Sequence, residues 1–140
     1  MHTYQYMLHI KLITPEKILI DDDVDEVVIP TTTGELAILP HHIPLVTQVA
    51  PGIVVIKTHG REEPLAVDGG FITVTESSVT ILADYATHAR DVSAIQAELA
   101  KKDAEKAMKD KKNDVDFAMA EAEFRRAILE LKLSKRKTTH

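Results

Sequence analysis

The character of this 140-residue sequence changes near residue 88, and that change limits the folds the chain can adopt. Before Ala83, short apolar runs alternate with turn residues. Past Ala89 there is no Gly or Pro, and Ala, Lys, Glu and Asp dominate. Gly and Pro interrupt regular structure, whereas Ala, Lys and Glu favour helix. The sequence therefore predicts two domains: a β-rich part at residues 1–88 and a helical part at residues 89–140.

The front part shows the period expected of strands with one buried face. Apolar residues alternate between Leu8 and Ile13, and similar short runs, separated by turn residues, recur up to Ala83. Many short strands without intervening helices predict a β-sandwich or flattened barrel, with room for about eight to ten strands. Gly69 and Gly70 follow a strand but open no helix. We therefore interpret the pair as a turn or bulge between strands rather than as a phosphate-binding loop.

The part past Ala89 predicts two helices in an antiparallel hairpin. Asp91 or Ser93 can cap the first helix, and Asp114 can cap the second after the polar break that starts at Lys111. Apolar residues at helical spacing are Val92, Ile95, Leu99, Ala100, Ala107 and Met108, then Phe117, Ala120, Phe124, Ala127, Ile128 and Leu131, with a second stripe of Ala118, Ala122, Leu129 and Leu133. A buried Leu or Phe contributes roughly 1.5–3 kcal/mol and Ala far less, so we expect this arm to be weakly held and movable.

Charge is distributed unequally between the two parts. Residues 1–88 carry 4 Lys/Arg against 12 Asp/Glu, whereas residues 89–140 carry 13 against 10, for a total net charge of −5. An acidic front half argues against nucleic acid as a partner. The chain has no Cys, which excludes disulfides, thiolate metal sites and a Cys nucleophile. Neither a signal peptide nor a run of ~20 apolar residues is evident, so we expect a cytoplasmic protein that meets membranes only through partners.

Three motifs resemble the epsilon subunits of bacterial F-type ATP synthases. The stretch Gly34–Thr47, with Gly34-Glu35 followed by Pro40, His42 and Pro44, is similar to the signature of that family. Gly69-Gly70-Phe71 with the strand ending at Asp84 resembles the second landmark, and Asp114–Phe117 opens the second helix as in the family. Ala37, His41 and Asp68 depart from the usual residues. The motifs occur in the family's order over nearly the whole chain.

The resemblance implies a flattened sandwich of about ten strands followed by a helical hairpin. It further implies a non-catalytic rotor subunit in the central stalk, beside the gamma subunit and on the ring of c subunits, with catalysis on the beta subunits. Such a subunit couples ion translocation to ATP synthesis at the cytoplasmic face of the cell membrane. Glu35 and His42 match the loop that faces the c ring, where Pro40 and Pro44 would stiffen the backbone.

The resemblance also implies a regulatory role for the helical arm. In the family, the arm can extend along gamma into the ring of alpha and beta subunits and oppose ATP hydrolysis. The basic residues that would face an acidic segment of beta are Arg125, Arg126, Lys132, Lys135 and Arg136. Some members bind ATP through an Ile-Asp-x-x-Arg-Ala motif, but here Ser93 and Gln96 replace its acid and its arginine, and only Arg126 matches among the second-helix arginines. Weak ATP binding or none is therefore expected.

Other interpretations of these residues are less specific. Neighbouring strand residues point to opposite faces, so His41 and His42 favour a structural or interface role over a metal site. Asp21–Asp25 lacks the turn Gly and closing Glu of a calcium loop. No nucleophile elbow, paired-carboxylate context or dinucleotide fingerprint is present, which predicts neither an enzyme nor a cofactor. A solvated helix face could also explain the basic residues. Alternative functions are a nucleotide-sensing module and an unrelated β-sandwich adaptor that binds a partner helix.

Overall fold

A computed structural model describes residues 7–110 and 113–136 of the chain. The predictions that concern Met1–Tyr6 and the Lys111-Lys112 part of the polar break lie outside these residues. The strands are β1 (Leu8–Ile13), β2 (Ile18–Val24), β3 (Glu26–Thr31), β4 (Gly34–Ile38), β5 (Leu45–Gln48), β6 (Gly52–Thr58), β7 (Arg61–Val74) and β8 (Ser78–His88). A 3-10 turn (Ala89–Asp91) precedes α1 (Ala94–Asp110) and α2 (Asp114–Arg136). The chain divides into two compact units, Met1–His88 and Ala89–His140.

The first unit is a single sheet folded on itself. Its strand order is β2-β1-β8-β7-β6-β3-β4, with β5 also paired to β7. Neighbouring strands are antiparallel except β1 and β8, which are parallel. The predicted sandwich followed by a helical hairpin is confirmed. The structure describes eight strands, because the two runs read around Leu65 and Ile72 join into one strand, β7, of 14 residues.

The core of the sandwich consists of Ile, Val and Leu with a single Ala. In β1, Leu8, Ile10 and Leu12 are completely buried, as their alternation predicted. Each fully buried aliphatic side chain of this size contributes roughly 1.5–3 kcal/mol to folding. The many such residues in the core make the sandwich the strongly stabilised part of the chain.

A kink in β7 separates its two halves. Gly69 and Gly70 have φ of 77° and 115°, conformations that residues with a Cβ rarely adopt. The β7–β8 register continues across them, from Asp68 opposite Tyr85 to Gly70 opposite Ala83. On its other side, β7 pairs with β6 before the kink and with β5 after it. The Gly pair therefore bends one strand and changes its neighbour, where the sequence predicted a turn or bulge between two strands.

The kink also reverses which residues of β7 face inward. Before it, Leu65 and Val67 are buried in the core, and after it, Ile72 and Val74 are buried. A simple two-residue period would have placed Phe71, not Ile72, in the core. Phe71 instead is 54% exposed. The two glycines therefore decide which side chains of β7 reach the outer surface.

Side chains cap both helices at their N-termini. The backbone N–H of Gln96 donates to Ser93 Oγ at 3.3 Å. Of the two predicted caps of α1, Asp91 and Ser93, the structure therefore shows Ser93. For α2 the cap is Asn113, because the Asp116 amide donates to Asn113 Oδ1 at 2.8 Å. Asp114 is the first helical residue, so the predicted cap was wrong by one position.

The two helices form a hairpin whose buried residues are mostly small. Ala97 and Ala104 are buried on α1, and Ala120 and Ala127 are buried on α2. Ile95, which belonged to the predicted apolar set of α1, is 74% exposed. Leu129 and Leu133 add larger buried side chains on α2. Within residues 7–110 and 113–136, no helix is both long enough and apolar enough to span a membrane.

Candidate docking surfaces

The outer face of the sandwich carries an apolar row that crosses four neighbouring strands, β2, β1, β8 and β7. Ile18 lies opposite Ile13, Ile13 opposite Leu82, and Leu82 opposite Phe71. Residues directly opposite one another on neighbouring strands share a face, with Cβ atoms about 4.5–5.5 Å apart. Ile18, Leu82 and Phe71 are each more than half exposed. We call these four residues the apolar row.

Polar residues border the apolar row on one side. The next row along the strands runs from Asp21 through Lys11 and Thr80 to Thr73, which lies opposite the exposed Val46 of β5. A contiguous apolar patch with a polar border is typical of a protein-binding surface. This face of the sandwich is therefore a candidate docking surface.

A charged cluster lies further along the same face. His9 Nδ1 is 2.8 Å from Asp23 Oδ1, and His9 Nε2 is 2.7 Å from Asp21 Oδ1. The hydrogen bonds to Asp23 and then to Asp21 raise the pKa of His9 above its ordinary value of 6.5. The cluster thus links β1 to the edge strand β2 most strongly when the imidazole is protonated.

The residues predicted to face the c ring lie on β4 and in the loop that follows it. Glu35 is exposed on β4, at the end of the sheet, opposite Pro30 of β3. His42 is half-buried, and its Nδ1 lies 2.8 Å from the carbonyl oxygen of Ile43, close enough for Nδ1–H to donate. Leu39 and Ile43 in the same loop are 53% and 79% exposed. This loop therefore presents apolar side chains next to the two predicted contact residues.

The five basic residues predicted to contact beta all lie on α2, on more than one face. At about 100° per residue, Arg125, Lys132 and Arg136 lie within about 40° of one another around the helix. Arg126 and Lys135 lie about 100° and 80° to either side of Arg125. Arg125 and Arg126 are half-buried, whereas the other three are exposed. The structure thus provides a stripe of three cations with one more on each flank.

One of the two positions that depart from the family's ATP motif has a structural role here. Ser93 Oγ caps α1 by accepting from the backbone N–H of Gln96, a donor that any residue other than proline would supply. Arg126 is half-buried on α2. Among the residues that the structure describes, no group of three or more His, Cys, Asp or Glu side chains could hold a metal ion.

The apolar row was missed at the sequence level. The sequence signal for this row is an apolar residue at a strand position that faces outward and would ordinarily be polar. Ile13 is such a residue, two positions after Lys11, and so is Leu82, which lies between the buried Ile81 and Ala83. A strand that is apolar on both phases is buried on both faces or offers one face to a partner. The register between strands, which the sequence does not fix, is what brings these residues into one row.

The fold and these surfaces define a two-unit docking protein: a rigid β-sandwich with an exposed apolar face, followed by a helical arm with small buried side chains. The family model for the ATP synthase delta/epsilon chain β-sandwich domain matches residues 7–89, and the model for the long alpha-helix domain matches residues 92–135. The chain therefore belongs to the ATP synthase delta/epsilon chain family. The resemblance seen in the motifs is confirmed.

Individual relatives agree with this assignment. The ATP synthase epsilon chain of Herpetosiphon aurantiacus is 38% identical over 128 residues, which cover 91% of this chain and 94% of the relative. That of Chloroflexus aggregans is 37% identical over 127 residues and covers 91% of each chain.

Two solved structures share the fold. A chain of the Euglena gracilis mitochondrial ATP synthase, in a structure of OSCP, F1 and the c ring, matches with a TM-score of 0.74 and 20% identity, covering 99% of this chain and 85% of the other. A chain of the Tetrahymena thermophila mitochondrial ATP synthase, in a structure of the central stalk and c ring, matches with a TM-score of 0.59 and 19% identity, covering 98% and 100%.

Proposed function

We propose that this chain is the epsilon-type, non-catalytic rotor subunit of an F-type ATP synthase central stalk. It couples ion translocation to ATP synthesis and restrains ATP hydrolysis through its helical arm, while the catalytic sites lie on other subunits. The observation that carries the proposal is the apolar row Ile18, Ile13, Leu82 and Phe71, set on a sandwich of this family. Family membership does not favour the alternatives, a nucleotide-sensing module or an unrelated adaptor.

The apolar row is the proposed contact with the gamma subunit. Covering the three large side chains that are about half exposed, Ile18, Leu82 and Phe71, contributes roughly 2–4.5 kcal/mol, taking half of the 1.5–3 kcal/mol for each full burial. The row lies across paired strands, so the backbone is already ordered and binding costs little conformational entropy. A rotor subunit that transmits torque needs such a preorganised surface.

The β4–β5 loop is the proposed contact with the c ring. Glu35 supplies a charge on β4, and Leu39 and Ile43 supply exposed apolar side chains in the loop. The Nδ1–H bond from His42 to the Ile43 carbonyl fixes the loop locally. Through these contacts the protein would be peripheral to the membrane, at its cytoplasmic face, and would touch the membrane only as part of the complex.

The helical arm is the proposed regulatory element. Its buried residues are mostly Ala, so the packing within the hairpin contributes little energy per residue. Ile95 and Leu99 on α1 and Val115 and Met119 on α2 are exposed apolar residues that a new neighbour can cover. The basic residues of α2 would pair with carboxylates on beta when the arm lies among the alpha and beta subunits.

Binding to isolated gamma subunit tests the docking surface directly. The double substitution Phe71→Ser and Leu82→Ser removes the two central side chains of the apolar row and should weaken binding about ten- to a hundredfold. The matched control is Leu39→Ser, which removes a side chain of similar exposure (53%) from the loop assigned to the c ring and should leave binding to isolated gamma unchanged. Full affinity in the double variant, with an unchanged melting temperature, would refute the assignment of this face to gamma.

A further inference from the structure

The strand order of the sandwich ends at β2 on one side and at β4 on the other, and these two end strands differ in charge. β2 carries three consecutive carboxylates, and the middle one, Asp22, occupies the inward position between the buried Ile20 and Val24. Charges on an end strand, above all inward-pointing ones, hinder its pairing with another chain. β4 has a single charge, Glu35, and the residues at its inward positions are apolar. Of the two ends, β4 is therefore the one that is open to a further strand.

The backbone of β3 shows which groups of β4 point to the open edge. Pro30 has no N–H, and its carbonyl accepts at 3.0 Å from the N–H of Ala50, which lies just before β6. Pro30 lies opposite Glu35, so these two residues form a pair without hydrogen bonds between them. By alternation, the pair of Val28 with Ala37 is of the same kind. Glu35 and Ala37 therefore each direct one N–H and one C=O away from β3, to the open edge.

These backbone groups are available to a partner. Within the part of the chain that the structure describes, β4 pairs with β3 alone, and no loop backbone bonds to Glu35 or Ala37. Both residues are exposed. Unpaired N–H and C=O groups along an end strand are a template for an added strand. An antiparallel stretch of about three residues is long enough to pair with both residues.

A small cavity beside β4 determines which side chain such a stretch can carry. The cavity has a volume of about 240 Å³, lies between β4 and β5, and is lined mostly by Leu and Thr residues, among them Leu36, Leu45 and Thr47. The middle residue of the added stretch would lie opposite Leu36, and opposite residues share a face of the sheet. Its side chain would enter the cavity, which suits an uncharged group. A residue opposite Glu35 would lie on the outer face instead, where a Lys or Arg pairs with the carboxylate.

We propose that the open edge of β4 accepts an extended segment of the c ring as an added strand. This inference rests on the proposed function, which assigns Glu35 and the β4–β5 loop to the c ring, and it adds a backbone contact to that assignment. The exposed Leu39 and Ile43 continue the same surface. The segment is about three residues long, with an uncharged side chain in the cavity and a cation opposite Glu35. Because main-chain hydrogen bonds set the register of an added strand, the contact fixes how the sandwich lies on the ring.

Amide hydrogen exchange of the full chain, bound to gamma alone and bound to gamma with the c ring, tests the added strand. On addition of the c ring, protection of the Glu35 and Ala37 amides should rise about tenfold or more, the equivalent of one net hydrogen bond. The amide of Leu36, which pairs with Ile29 of β3, should be protected in both complexes. Full protection of Glu35 and Ala37 with gamma alone would overturn the choice of the c ring. No added protection in a complex that retains the c ring would overturn strand addition.

Ala37→Pro gives a second test through the backbone. Proline removes the N–H that points to the open edge and places its ring there, yet an edge strand tolerates a proline whose nitrogen faces outward. The variant should stay folded and, in the presence of gamma, bind the c ring at least about tenfold more weakly. The matched control Ala37→Val adds a side chain of similar size and keeps the N–H, so it should bind as wild type does. Equal binding by Ala37→Pro, with an unchanged melting temperature, would contradict the proposal.

Leu39→Ser combined with Ile43→Ser separates this proposal from the function on which it rests. If the double variant loses the c ring while Ala37→Pro keeps it, the loop contact stands and strand addition is wrong. If neither change affects binding, the assignment of this surface to the c ring is wrong as well.

Discussion

Gly70 provides a sharp test of how the sandwich is built. Its φ is +115°, and a Cβ at this position would collide with the carbonyl oxygen of Leu82 and approach Ala83 Cα to 2.8 Å. Both are backbone atoms of β8 and cannot rotate away. Gly70→Ala therefore has to strain the residue and also separate β7 from β8 at the kink.

Gly34 is the matched control. It has a similar φ of +124°, but no atom lies within 4 Å of the place that the Cβ of an alanine would occupy. Gly34→Ala should show the backbone strain alone, about 1–3 kcal/mol of unfolding free energy. Gly70→Ala adds the displacement of a paired strand, and its loss should exceed that of Gly34→Ala by about 2 kcal/mol or more. The combined loss of about 3–5 kcal/mol is a large share of the stability of a domain, which is about 5–15 kcal/mol.

Urea unfolding of the full-length variants, followed by circular dichroism, measures both losses. Equal losses for the two substitutions would refute the close approach of β7 and β8. The same kink turns Phe71 outward, so a folded Gly70→Ala variant should also bind gamma more weakly than Gly34→Ala does.

Three further predictions follow from the arm and the charged clusters. Arg125→Ala combined with Arg126→Ala should weaken any inhibition of ATP hydrolysis by the assembled complex and reduce its salt dependence; unchanged inhibition with the same salt dependence would contradict the electrostatic account. Titration of the isolated chain with ATP should show no micromolar binding, because neutral Ser93 and Gln96 stand where the family's motif has an acid and an arginine, and Gln cannot replace a guanidinium against phosphate; micromolar affinity would contradict this. The raised pKa of His9 makes its contribution to the unfolding free energy complete below about pH 6.5 and lost as the pH rises through the raised value. Since the cluster is exposed, the difference between wild type and His9→Gln should be at most about 1 kcal/mol, and a difference that grows with pH would contradict the assignment.

The two-part fold was predictable because each part has its own period. Alternation in β1 placed Leu8, Ile10 and Leu12 inside, and the absence of Gly and Pro past Ala89 indicated helix. The Gly69-Gly70 kink was not predictable from the alternation of apolar and polar residues, because within one strand it changes which alternate residues face the core. For the same reason the exposure of Phe71 could not be read from its neighbours.

The helices show a second limit of sequence patterns. Ile95 and Leu99 have the spacing of an inner face, yet Ala97 and Ala104 are the buried residues of α1. Small residues let two helices approach closely, and this advantage is not visible in a hydrophobic period. The apolar row likewise depends on the register of four strands. Single residues such as Glu35 and His42 could be located from a motif, but their contacts with a partner stay a prediction.

The proposed role of the arm is tested most directly by ATP hydrolysis in the assembled ATP synthase. The rate should be compared with this chain intact and with the chain truncated after Ala89, which keeps the whole sandwich and its docking surfaces. If the arm restrains the enzyme, truncation raises the hydrolysis rate while gamma binding is preserved. Equal rates in the two complexes would contradict a regulatory arm.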